Sequence, residues 1–502
     1  MKILMISGEV APYAKTGGLG EVMAALPKAV HRLGHDVRVY MPLYGRIDRR
    51  QFAFVPIGDS TLTVDNDPSP IRFHASVLNQ EVPIYFLESE TYFPRSKKLY
   101  SPDEGNLPYY AFCLSVFNLL QTLNWIPDVI HCHDWHSGLI PNLIKYLPAG
   151  SPYKNISTVL TIHNSAFVSI VSQFDIPVAL QDNGLGELPT SQDRAPYLNF
   201  LKRGITNADV VTTVSERYAQ ELLVRETSHG LFDVLTPRSK DFFGIRNGVD
   251  YAYWNPMYDK YLPVNYDIEI MHRKYDNKRA LQHRLKLPIV DSVPILGMNS
   301  RITEQKGFSL IFEIFDHLME TGLQVVVVGE GRSEYMDFLC EKMKQYPTQV
   351  SYQPYSDEMG SLVYAGADIF LMPSLFEPSG LGQLISLRYG TIPVVRRTGG
   401  LADTIFDYNL HARTGNGFVF DDYSGEALEE AINRALEIWH HKDRWWELML
   451  RAMAMSYSWE IPAKKYVKIY HSALNRHKAL ALADHLRINQ PINKIKDTNV
   501  LG

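Results

Sequence analysis

The chain reads as an α/β protein built on parallel sheets in more than one domain. Two observations lead there. A strand–loop–helix–strand unit opens the sequence, and strand–turn–helix units of the same character recur toward its other end. At 502 residues the chain is also too long for one hydrophobic core, so two or three domains are expected.

The first unit begins with a strand over residues 2–7 and a loop over 8–20 that contains Lys15-Thr16-Gly17-Gly18-Leu19-Gly20. From Glu21 the apolar residues Val22, Ala25, Leu26, Ala29, Val30 and Leu33 follow helical spacing, Gly34 stops the helix, and 37–40 is the next strand. Such a βαβ unit implies a right-handed crossover and a parallel sheet. The loop fits neither a dinucleotide fingerprint nor a Walker loop. Its adjacent glycines would still let backbone N–H groups approach a phosphate or sugar, with Lys15 as a cation beside them. A solvated lysine on a flexible loop is the plain alternative.

The second unit is centred on Glu377. Residues 367–373 form a short apolar strand, and 381–389 carry a helical stripe ending at Gly390. Glu377 therefore lies on a Pro/Ser/Gly turn at a strand's carboxyl end, where open α/β sheets bind ligands and where a helix start offers free N–H groups. Alone it is equally a charge at a helix N-terminus. A strand at 294–299 leads into Arg301 and Lys306, two cations placed against the dipole of the following helix; an anionic ligand would relieve that conflict. The apolar run 323–328 is a buried parallel strand, 349–352 another, and 392–395 a third, followed by Thr398-Gly399-Gly400-Leu401, a repeat of the string at 16–19.

Between these units, 51–105 reads as an irregular insertion rich in Pro, Asp and Ser, with a strand at 82–87, and a helix follows over 110–124. Residues 128–136 place a strand end with three His and Cys132 against a new helix; a zinc site would need a second ligand pair, so Asp134 is read as a helix cap or a ligand-hydroxyl contact. Strands at 158–162 and 209–214 follow, the first running into His163. The turn dipeptide Asn247-Gly248 marks a domain boundary near 245–250, a helix is expected over 461–474, and a basic, mobile tail from 477.

Composition narrows the class. A net charge of −5 argues against nucleic acid or an anionic membrane as the main partner. Three cysteines without paired spacing suit reduced thiols, no apolar run reaches a membrane span, and 2–7 reads as a strand rather than a signal peptide. A soluble cytoplasmic protein is expected. Aromatic residues make up 12%, with 29 Tyr and 22 Phe, which serves a large core or ring surfaces for bases and sugars alike.

Taken together, Lys15-Thr16-Gly17-Gly18-Leu19, the run 131–136, Thr161-Ile162-His163-Asn164, Arg301 with Gln305-Lys306-Gly307, Phe376-Glu377-Pro378, and Arg388-Tyr389-Gly390 with Gly399-Gly400-Leu401-Ala402-Asp403 resemble bacterial glycogen synthases and plant starch synthases, in register from about residue 1 to 475. The resemblance implies the GT-B architecture, two Rossmann-like domains with parallel sheets facing across a cleft. Their expected extents are 1–246 and 247–460, with a helix at 461–476 crossing back onto the first domain and a tail at 477–502. It implies glucose transfer from a nucleoside diphosphate sugar, usually ADP-glucose, to the non-reducing end of an α-1,4-glucan, with retention and without a metal or other cofactor. By position, Lys15 with Gly17 and Gly18, Arg301 and Lys306 would hold the diphosphate. Glu377 would bind the donor glucose, Gly380 and Leu381 would offer N–H groups, Asn247 would touch the sugar and Tyr352 would stack on the base. Asp134 and His163 would line the glucose and acceptor side.

This chain departs from the family's pattern at Ser379, near Gly382, over Ser165-Ala166-Phe167-Val168-Ser169 and at Lys202-Arg203-Gly204. The last two lie on the expected acceptor side. A weakly catalytic glucan-binding relative, or a GT-B synthase using UDP-glucose, stays open at this point, as does the oligomeric state.

Overall fold

The computed structural model describes residues 1–64, 66–94, 99, 105–167, 182–188 and 198–488. The expected tail beyond 488 and the positions Val168 and Ser169 lie outside them. The strands are β1 (Lys2–Ile6), β2 (Asp36–Pro42), β3 (Val55–Val64), β4 (Asp67–Leu78), β5 (Val82–Glu88), β6 (Val129–His133), β7 (Ser157–Ile162), β8 (Val210–Thr213), β9 (Phe242–Gly244), β10 (Ile295–Asn299), β11 (Gln324–Val328), β12 (Val350–Gln353), β13 (Ile369–Met372), β14 (Ile392–Arg396) and β15 (Phe418–Phe420).

Among the described residues they form two sheets. The first is nine-stranded, ordered β3-β4-β5-β2-β1-β6-β7-β8-β9; the second is six-stranded, ordered β12-β11-β10-β13-β14-β15. The second sheet is parallel throughout. In the first, only the β3/β4 and β4/β5 pairs are antiparallel. β11 shows why the pattern holds: Gln324 and all four valines are buried, as a strand flanked by neighbours and covered by helices must be.

Both sheets turn around at their middle. In the first, the chain winds one way from β1 to β2 and the other way from β1 to β6. In the second, β11 lies on one side of β10 and β13 on the other. Each reversal leaves a crevice at the carboxyl ends of the two central strands, the place where such sheets take ligands. The loops entering these crevices follow β1, β6, β10 and β13, and they carry Lys15, Asp134, Lys306 and Glu377.

Core membership changes between Ile245 and Val249, and changes back between Tyr457 and Trp459. The two crossings run side by side, with Val249 N–H donating to Tyr457 O at 2.8 Å. Gly248 is required there, since a Cβ would lie 2.7 Å from the Trp459 nitrogen. Beyond them, Tyr466, Tyr470 and Ala473 of the last helix pack into the first core.

Two readings change. The stretch read as an irregular insertion is mainly the β3–β4 hairpin that widens the first sheet. Its prolines hid it: Pro68 and Pro70 lie in the part of β4 that pairs only with β3, before β5 pairing begins at Arg72, so their missing N–H groups are tolerated. The last helix spans Glu460–Ile488 rather than stopping near 474, so the first residues of the expected tail are helical. Good helix formers fill that stretch, and Arg476 and His477 are tied to Asp241 and Asp209 of the first domain.

Candidate functional site

The loop after β1 is set from below. Glu9, nearly fully buried, accepts from the Thr16 N–H at 2.7 Å and the Thr16 hydroxyl at 2.5 Å. This aims Gly17, which precedes the helix Gly18–His31. Lys15 Nζ donates to Glu21 Oε1 at 2.7 Å. Burial alone would lower its pKa, but Glu21, with Asp357 of the second domain behind it, holds it above the ordinary lysine value.

The loops after β10 and β13 lock together. Gly307 has φ +78° and precedes the helix Phe308–Glu320; a Cβ there would lie 2.0 Å from the Pro373 carbonyl oxygen. Only glycine lets the two loops approach so closely. Across that contact the Lys306 ammonium bonds Glu377 Oε2, which also accepts from Ser374 Oγ at 3.1 Å. Glu377 is 5% exposed. The second Thr-Gly-Gly-Leu string packs on the same turn: Gly400 N–H donates to the Glu377 carbonyl at 3.0 Å, and Gly399 N–H to Glu221 of the first domain at 3.1 Å. Its N–H groups thus serve the protein rather than an open ligand face.

The two halves meet at this site. A Cβ placed on Gly18 would lie 3.8 Å from Leu381 Cδ1. Lys15 Nζ stands 5.9 Å from the centre of the Tyr355 ring. Farther along the seam, Ser215 Oγ donates to Asp403 at 2.7 Å and the His229 ring packs 4.5 Å from Phe376.

The remaining expected residues are more scattered. Arg301 is exposed, its guanidinium 3.3 Å from Gln305 Oε1. Tyr352 packs against the second core and its hydroxyl donates to Gly329 O at 3.3 Å, whereas Tyr355, just beyond the same strand, is 43% exposed. Asn247 sits beside the crossing, and its Oδ1 is buried without a hydrogen-bond partner among the described residues, as is Ser379 Oγ. Gly380 takes φ +66° ahead of the helix Gly382–Arg388.

On the first domain's side, Asp134 is not the helix cap that was one of its two readings. Its carboxyl makes no cap bond; it turns to the loop after β7, accepting from the N–H groups of His163 at 2.6 Å and Asn164 at 3.3 Å. Asp134 has φ +58°, a strained conformation for a non-glycine residue. Burial pushes its carboxyl up to about 7; the two N–H groups pull the other way without cancelling this, and Glu9 adds to the rise. An acid raised in the folded state contributes stability at low pH that is lost as the pH climbs toward the folded pKa. Asp134→Asn should therefore gain on the wild type in thermal stability between about pH 5 and about pH 8. A melting-temperature gap that stays constant over that range would show that the carboxyl titrates normally.

With this geometry in hand, the likenesses to known proteins are specific. Residues 2–237 match the starch synthase catalytic domain, and residues 281–447 match glycosyl transferases group 1. The chain is 40% identical over 486 residues to the glycogen synthase of Geotalea daltonii, covering 94% of this chain and 99% of that protein. It is also 40% identical over 488 residues to glycogen synthase 2 of Geobacter sulfurreducens, covering 95% and 100%. The chain belongs to the glycogen and starch synthase family. Among solved structures, the catalytic domain of starch synthase IV from Arabidopsis thaliana, bound to ADP and acarbose, superposes with a TM-score of 0.85 at 29% identity, covering 94% of this chain and 99% of that one. A sucrose-phosphate synthase from Thermosynechococcus elongatus, at 18% identity and a TM-score of 0.60, shares the fold. This member of the glycogen and starch synthase family is a glycosyltransferase with the GT-B fold. None of the described helices is long and apolar enough to cross a membrane.

Sequence reasoning passed over Glu9, Glu21, Ser374 and Tyr355. Tyr355 had a signal, since it follows a parallel strand by two residues. Glu9 had none, because its role depends on a loop that folds back to bring Thr16 onto it.

Proposed function

We propose that the chain moves glucose from ADP-glucose to the non-reducing end of an α-1,4-glucan with retention of configuration. The observation that carries this reading is the meeting of the Gly17-Gly18 loop with Leu381, at the crevices of both sheets. A diphosphate at that seam lies within the field of a glycine loop and Lys15 from one domain and of Lys306, Arg301 and a helix start from the other. The starch synthase IV structure, bound to ADP and acarbose, supports both an adenine nucleotide and a glucan-like acceptor.

The ion pair gives Lys306 and Glu377 linked roles. A phosphate oxygen drawing Lys306 away frees Glu377 Oε2 for the glucose hydroxyls, with Ser374 still holding the carboxyl in place. Tyr355 offers the exposed ring for the base, and the unpartnered Asn247 Oδ1 and Ser379 Oγ offer polar contacts to sugar or phosphate. His163 and Asp134 line the glucose and acceptor side. In the step itself the bond from the anomeric carbon to phosphate breaks, the acceptor's terminal 4-hydroxyl oxygen bonds that carbon, and its proton passes to the departing phosphate oxygen. Side-chain cations take up the leaving group's charge; preorganised groups of this kind contribute roughly 3–4 kcal/mol each in a closed site. Glu377, held by Ser374 and turned to the glucose hydroxyls, suits binding better than nucleophilic attack, so transfer proceeds on one face.

The test is nucleotide release from ADP-glucose and from UDP-glucose with glycogen or maltooligosaccharide present. Release from ADP-glucose is expected, with the glucan lengthened through α-1,4 bonds. Preference for UDP-glucose would change the donor, and release from neither would leave a glucan-binding relative. A glucosyl adduct on Glu377, found by mass spectrometry during turnover, would replace the one-face route by double displacement.

A further inference from the structure

We infer that His133 is a positioning residue that fixes the tautomer of His163, so that the ring nitrogen His163 keeps for a ligand, Nδ1, carries a proton and not a lone pair. This rests on the reading of His163 as a residue of the sugar side. Nδ1 of His133 lies 2.9 Å from Nε2 of His163. Burial holds both rings neutral: it takes His163 down to about 3 and His133 well below the ordinary histidine value, where His131 and His163 add to the effect.

Between two neutral imidazoles this close, one nitrogen must bring a proton and the other a lone pair. The remaining nitrogen of His133 decides which. His133 Nε2 is buried and has no hydrogen-bond partner among the described residues. If His163 were the donor, the His133 proton would have to sit on Nε2, a buried N–H with nothing to accept it. Orphaned N–H groups of that kind are among the rarest features of native interiors. If His133 donates from Nδ1, only a bare lone pair is left at Nε2. His163 then accepts at Nε2 and must carry its own proton on Nδ1.

Nothing competes with this assignment. Among the described residues, His163 makes two hydrogen bonds, this one and the backbone N–H bond to Asp134 at 2.6 Å. The His133 ring is fixed in turn. It lies 4.0 Å from the ring of His131, which is held between the Tyr470 hydroxyl at 2.9 Å and Thr161 Oγ1 at 2.7 Å. Turning the His133 ring over would set a carbon where Nδ1 stands and lose the bond. His163 is thereby a hydrogen-bond donor to an oxygen of the bound sugar and not a proton acceptor.

The full chain with ¹⁵N-labelled histidine tests this, using His163→Ala to assign the resonances, because ring ¹⁵N shifts separate protonated from bare nitrogens. In the wild type at neutral pH, His163 should show a protonated Nδ1 and a bare Nε2. His133→Leu should remove that preference and lower kcat roughly tenfold at little change in the acceptor KM. His133→Asn, whose amide keeps an N–H near the position of Nδ1, should restore most of it. A protonated Nε2 on wild-type His163 would overturn the inference, as would His133→Asn behaving like His133→Leu. If His133→Leu does not fold, the wild-type spectrum decides alone. Full activity of His163→Ala alongside the expected tautomer would count against the sugar-side reading while leaving the tautomer assignment standing.

Discussion

Replacing Lys306 by alanine should lower kcat/KM by ~10² or more. Two losses combine in this variant. The cation at the carboxyl end of β10 disappears, and with it one of the groups that would receive the leaving diphosphate. Glu377 also loses the ammonium it bonds, and its side chain is too deeply buried for water to replace that partner fully. A carboxyl so stranded turns away from its place in the turn, so donor glucose would be held less well even where the diphosphate still binds. Steady-state kinetics with ADP-glucose and glycogen measure the effect, and a melting curve on the same sample separates it from unfolding. A change of less than about threefold would contradict both roles.

Much of the architecture was legible because parallel α/β sheets leave a strong mark. The valine run of β11, the helical spacing after Glu21 and the glycine-rich loops each match what the structure contains. The crevice residues were legible for the same reason: they follow strands, and strand ends are easy to find. What failed to show was whatever depends on distant segments. The β3–β4 hairpin was hidden by prolines whose tolerance depends on which strand pairs where. Of the two readings of Asp134, the helix cap fails because its carboxyl serves His163 and Asn164 just after β7, 29 and 30 positions along the chain. Tyr352 lies inside β12 and packs against the core, whereas Tyr355, two residues past the strand's end, is left exposed beside Lys15. The pairing of Lys306 with Glu377 was likewise invisible, though each residue had been singled out by its own loop.

Replacing Lys15 by alanine should also lower kcat/KM by ~10², and for a reason that reaches the whole account. Lys15 belongs to the first domain, yet its ammonium faces Tyr355 and lies in the field of Asp357 of the second. If its work is only to pair with Glu21, a partly buried ion pair, its loss costs about 1 kcal/mol of stability and leaves the nucleotide untouched. If the two halves hold one diphosphate between them, its loss weakens a ligand whose other cationic contacts, Lys306 and Arg301, sit on the second domain. Calorimetric titration of ADP into wild-type and Lys15→Ala protein separates these cases. The dissociation constant should rise at least about tenfold in the variant, the loss of one hydrogen bond to a charged group. An unchanged constant would mean that Lys15 does not touch the diphosphate, and would contradict a site closed by side-chain cations from both domains.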